Sequence, residues 1–255
     1  MSKASGNLNR RTVGDNGMPV FYIAIDESGV PFCIDGKPGV FVMDAIVASD
    51  PEDLASLPLS TPSDTWSEGR NIPPGLSELK HYSSSPDVAR GFMRRLDFQH
   101  DVTKYGTVVW MDDPRRYSKR NAERTYEDAF RSLMSSVATD CQWGVYRIRI
   151  DGSAIVAKNR DRFMRIAQEA FEGSKGKLAY GDGFYACDSV VTPIVQAADM
   201  LAGEHRYSIL RRSPEVDFDA WTARNREFSF DHGVRLSEPP RKGRSFIDWL
   251  FDPRD

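Results

Sequence analysis

Residues 20–29, VFYIAIDESG, run an apolar strand pattern into two adjacent carboxylates, Asp26 and Glu27, and then Ser28 and Gly29. Acids at a strand end, where a core takes apolar side chains, mark a metal or catalytic position more often than a packing choice. Neighbours on a strand point to opposite faces, so one of the pair shares a site with a given partner, and Asp26 is the expected one. A second acid, Glu78 in SELKHYS, is followed by Lys80. If that segment is extended, carboxylate and ammonium fall on one side, a pairing that suits metal binding together with stabilisation of phosphate charge. Asp151 closes the alternating segment GVYRIRI and precedes Gly152 and Ser153. Ligands collect at strand ends of this kind, although a plain turn also uses Asp-Gly.

The fourth acid lies in TPIVQAADMLAG, an apolar helical segment that carries Gln196 and Asp199 three residues apart, with Gly203 a further turn along. A carboxylate on a helix otherwise fit for burial must be paired, protonated or metal-bound. Arg206 is its candidate structural partner, and Asp188, before the helix, can add a ligand or a cap.

This ordered set resembles the DUF3800 family: a strand ending in Asp-Glu-Ser-Gly, a middle Glu-x-Lys, a later strand ending in Asp, and Asp-Ser followed by Gln-x-x-Asp-x-x-Ala-Gly. The similarity runs over residues 22–207. It implies an RNase H-like fold of bacterial or phage type, with Asp26, Glu78, Asp151 and Asp199 as the acidic set and Glu27, Lys80, Asp188 and Gln196 in support.

Three or four converging carboxylates repel one another until a hard cation joins them, and oxygen-only ligands select Mg²⁺ or Mn²⁺. Two such ions ~3.5–4 Å apart activate water against a phosphodiester. The expected activity is therefore that of a metal-dependent nuclease acting on RNA or DNA. Lys80 stabilises phosphate charge, Gln196 orients an acid or a water, and basic clusters (Arg94 and Arg95; Arg115, Arg116, Lys119 and Arg120) hold the backbone. A rival nuclease reading uses a restriction-type site of Glu78 and Lys80 with Glu68. A reading of another class is a non-catalytic RNase H-like module binding nucleic acid or protein, its acids paired with Arg206, Arg147 or Arg149.

These residues need a scaffold. Residues 20–25, 30–34 and 39–48 read as strands of an antiparallel meander, and residues 49–75, dense in Pro, Ser, Thr, Asp and Gly, as a long loop insertion. Helices are expected over 85–99, 121–139, 159–171 and 193–210, strands over 106–111, 144–150 and 185–191. The sum is an α/β domain with a mixed sheet over residues 18–212, after a flexible lead-in at 1–17 and before an aromatic-rich extension at 213–255 that packs on the domain. That extension also leaves room for a homo-oligomer or a protein partner.

With 40% hydrophobic and 28% charged residues, and no apolar run approaching ~18 residues, the chain reads as globular and without a membrane partner. The polar N-terminus lacks an export signal, so a cytoplasmic location is expected. Three scattered cysteines and four scattered histidines argue against a soft-metal site. A formal net charge of -3 excludes a basic protein that simply coats nucleic acid.

Overall fold

The computed structural model describes residues 17–59, 80, 81, 84, 86–99, 102–189 and 192–212. Residues 1–16 of the lead-in, residues 60–79 with Glu68 and Glu78 among them, and the extension at 213–255 lie outside them. Among the described residues, β1 (Val20–Ser28), β2 (Gly39–Ala48), β3 (Val102–Met111), β4 (Gly144–Asp151), β5 (Gly176–Leu178) and β6 (Phe184–Cys187) form one sheet. Its order is β3-β2-β1-β4-β5, and β6 also pairs with β4, beyond β5. The first three strands are antiparallel and β4 is parallel to β1, with Ile25 beside Ile150. The expected mixed sheet, an antiparallel meander joined to parallel strands, is present. The C-terminal ends of β1, β3 and β4 consequently share one edge.

The two sheet faces have separate cores. Ile23, Ile25, Tyr146, Ile148 and Ile150 pack under α3 (Ala122–Asp140) and α5 (Arg160–Phe171). Ala24, Ile46 and Ala48 pack under α1 (Pro51–Leu59), α2 (Pro86–Asp97) and α6 (Pro193–Arg212). Small residues along α6, Ala197, Ala198, Ala202 and Gly203, let that helix lie close over β1 and β2.

Three local readings need correction. Residues 51–59 form a helix within the supposed loop: Asp50 accepts the Glu52 amide at 2.9 Å, as an N-cap does, and Leu54 and Leu57 bury one turn apart. Pro58, in the last turn, marks where the helix ends. Residues 30–34 form no strand, because Gly29 turns the chain at φ +91° and Ile34–Gly36 is a single helical turn. β6 is confined to Phe184–Cys187, and two short elements went unread: β5 and α4 (Ala154–Lys158), the latter capped by Ser153.

A candidate acidic site at the sheet edge

Asp26 comes from β1 and Asp151 from its parallel neighbour β4, each one residue past the paired Ile25 and Ile150. Asp199 arrives from α6 above β1. Asp26 is 4% exposed, while Asp151 and Asp199 are half-buried. Burial pushes the Asp26 carboxyl well above the usual carboxylate range, and Glu27, Asp199 and Asp151 push it further. One oxygen, Oδ1, accepts the Glu27 amide at 2.7 Å; Oδ2 is buried with no hydrogen-bond partner among the described residues.

Glu27 points to the opposite face, as strand geometry requires, and accepts the Tyr126 hydroxyl of α3 at 2.8 Å. It is not cut off from the site, however. Burial raises its pKa to about 7 against the Tyr126 bond, with Asp151 and Asp199 raising it and Lys80 lowering it. At a strand terminus, side chains on both faces reach the same open edge, so opposite facing did not separate the pair.

Lys80 donates to Ser189 Oγ at 3.0 Å, and the Ser189 carbonyl accepts from Gln196 Nε2 at 2.8 Å. Gln196 thus pins the Asp188-Ser189 turn instead of touching an acid in these bonds; Asp188 itself is exposed. The His81 amide donates to Asp199 Oδ2 at 2.8 Å, and the His81 ring meets Glu204 Oε2 at 2.8 Å. That ring fills the place a side chain at Gly203 would take. Arg206, the expected structural partner of Asp199, donates to the Val40 carbonyl at 3.1 Å and packs against Gly29. Arg147 pairs with Asp182 at 3.3 Å, and Arg149 donates to the Ile148 and Asp182 carbonyls.

The basic clusters separate. Arg115, Arg116, Lys119 and Arg120 follow β3 at the acidic edge, whereas Arg94 and Arg95 end α2, which leads to the opposite end of β3. Sequence reasoning missed Asp44 and His205. Asp44 is the cross-strand partner of Asp26, fully buried, with both oxygens within 3.0 Å of His205 Nδ1. Burial raises its pKa and His205 opposes the shift. The available signal was an acid in the middle of the apolar strand GVFVMDAIVA.

The donors are all carboxylates, and one buried carboxylate oxygen lacks a partner among the described residues, which is the chemistry a hard cation satisfies. Among the described residues, no three Asp, Glu, His or Cys side chains stand close enough to hold an ion as placed. A cation drawn here must therefore complete its shell from water, substrate or inward movement of the acids.

No protein-family model and no curated protein sequence matches the chain. Among solved structures, it is similar to a chain of the PCNA:RNase HII complex of Archaeoglobus fulgidus, with 17% identity and a TM-score of 0.44 over 76% of this chain and 75% of that one. It is also similar to ribonuclease H2 of Pyrococcus horikoshii, with 13% identity and a TM-score of 0.46 over 82% and 88%. For a mutant of Bst-RNase HIII the values are 15% and 0.40 over 75% and 53%. Likenesses this slight carry no property across to the chain.

Proposed function

We propose that this chain is a divalent-metal-dependent nuclease, hydrolysing phosphodiester bonds of RNA or DNA, of the DUF3800 type that its motifs resemble. Asp26 carries the reading. A carboxylate that is 4% exposed, crowded by Asp151 and Asp199, and left with a partnerless oxygen among the described residues is stable only when protonated or set against a cation. Asp26, Asp151 and Asp199 would hold Mg²⁺ or Mn²⁺, with Glu78 expected as a fourth ligand on the segment leading into Lys80. The ion, when bound, activates water and neutralises charge on the phosphodiester.

The chain's own groups supply the rest. Lys80, fixed by Ser189, offers a cation beside Glu27 for the phosphate. Glu27, with its pKa at about 7, holds or releases a proton near neutral pH. The loop carrying Arg115, Arg116, Lys119 and Arg120 lies at the same edge and takes the nucleic-acid backbone.

Thermal unfolding with and without Mg²⁺ or Mn²⁺ tests the site. At a metal concentration about a hundredfold above Kd, the wild type should gain about 2.7 kcal/mol, or roughly 5–10 °C. Asp26→Asn and Asp199→Asn should gain far less, and both should lose cleavage of labelled RNA, DNA or hybrid strands. A wild type with no metal response and no cleavage of any nucleic acid would overturn the proposal in favour of a non-catalytic module.

A further inference from the structure

On β4, Arg147, Arg149 and Asp151 alternate with Tyr146, Ile148 and Ile150, which fill the core under α3 and α5. The three polar side chains therefore share the other face. α6 covers that face over β1 and β2. Cys187 packs into the α6 core, so Tyr185, two residues earlier on β6, points the same way. There the cover has ended: Tyr185 is 54% exposed. Its cross-strand partner Arg149 places a guanidinium 5.7 Å from the ring centroid, and Arg147 stands 6.0 Å from the ring of its own partner, Tyr22.

Arg149 is held in place by its bonds to the Ile148 and Asp182 carbonyls, and no carboxylate stands against it among the described residues. Arg147 is compensated by Asp182. The outcome is an open strip of sheet bearing a fixed cation beside an exposed aromatic ring. The strip leads straight to the acids, since Arg147 and Asp151 are four residues, about 13 Å, apart on one face.

We infer that this strip binds single-stranded nucleic acid, stacking a base on Tyr185 and placing a phosphate on Arg149, and so delivers a strand to the acidic edge. The choice of ligand rests on the nuclease reading above; the surface chemistry adds the strandedness. A ring lying open on a sheet stacks with a base only when that base is free of its own stack, and such stacking is tolerant of sequence. The guanidinium beside the ring, with no carboxylate against it among the described residues, is complementary to phosphate.

The experiment is fluorescence anisotropy of short labelled single strands of RNA and DNA, with duplex as competitor, on the full chain in EDTA so that nothing is cleaved. Wild type should bind single strands in preference to duplex. Tyr185→Ala should weaken binding about tenfold and Tyr185→Phe should restore it. Arg149→Gln should weaken binding and reduce the slope of log K against log salt by about 0.7. All three variants should keep the wild-type thermal response to Mn²⁺, which shows that they fold and that the acids are untouched. Single-strand binding that ignores Tyr185→Ala, preference for duplex, or no binding at all overturns the strip as a strand platform, even where the metal response stands. A missing metal response alongside Tyr185-dependent binding overturns the nuclease and leaves the platform.

Discussion

In the metal-free protein, raising the pH ionises Glu27 in a place that disfavours its charge. Its pKa in the fold is about 7 against an ordinary 4.5, so the folded state holds the proton more tightly than the unfolded one. Stability is full below about pH 4.5 and is lost as pH rises to about 7, by on the order of 2–3 kcal/mol. Asp26 is raised in the same direction and adds to the slope. Denaturant titration across that pH range in EDTA should show the decline, and Asp26→Asn should flatten it while raising neutral-pH stability. An unchanged slope in Asp26→Asn counts against the crowding described here. Asp44 is raised in the same direction, but it has a partner: both its oxygens lie against His205 Nδ1 in full burial. His205→Leu should cost about 3–5 kcal/mol by stranding the Asp44 carboxylate, and the double variant with Asp44→Leu should recover much of that loss in chemical unfolding.

Gly203 is where one element meets another. A methyl group there would run into the His81 ring, which is bonded to Glu204 while the His81 amide holds Asp199. Gly203→Ala should therefore loosen the segment carrying Lys80 from α6, costing about 1–3 kcal/mol and weakening the metal response, both read by thermal unfolding. Elements of this kind differed in how plainly the chain announced them. α3 and α5 bury apolar residues at helical spacing and β4 alternates, so periodicity alone locates them. α1 is short, rich in proline and leucine, and becomes a helix by laying Leu54 and Leu57 against its neighbours, which composition cannot foresee. Asp26 and Asp199 were legible because each interrupts an apolar run, Asp151 because it ends an alternating strand; Asp44 interrupts its strand just as plainly and was missed. The contacts around the acids were not legible: His81 to Glu204 and Lys80 to Ser189 span more than a hundred residues, and no local spacing encodes them.

At the scale of the molecule, the sheet places a separate apolar core on each face, and the acids occupy the edge between them. β1 is central, paired with β2 on one side and β4 on the other, and carries Asp26 at its end. Removing an ion from such a site should relax the edge more than the sheet. Hydrogen exchange with and without Mn²⁺ should slow amides at the end of β1, after β4 and along the first turns of α6, with little change in β2 and β3. Uniform slowing across all strands would contradict that picture.

Asp26, Asp151 and Asp199 lie far apart along the chain and meet only through a parallel pairing and a late helix. During synthesis, β1 and β2 can pair early, yet the third acid has not left the ribosome until most of the domain has been made. Under the proposed function, a half-made chain would lack a complete site beside the messenger that encodes it. The last of the three acids to be synthesised, on α6, would complete that site, so the order of the sequence would act as a safety catch on the proposed activity.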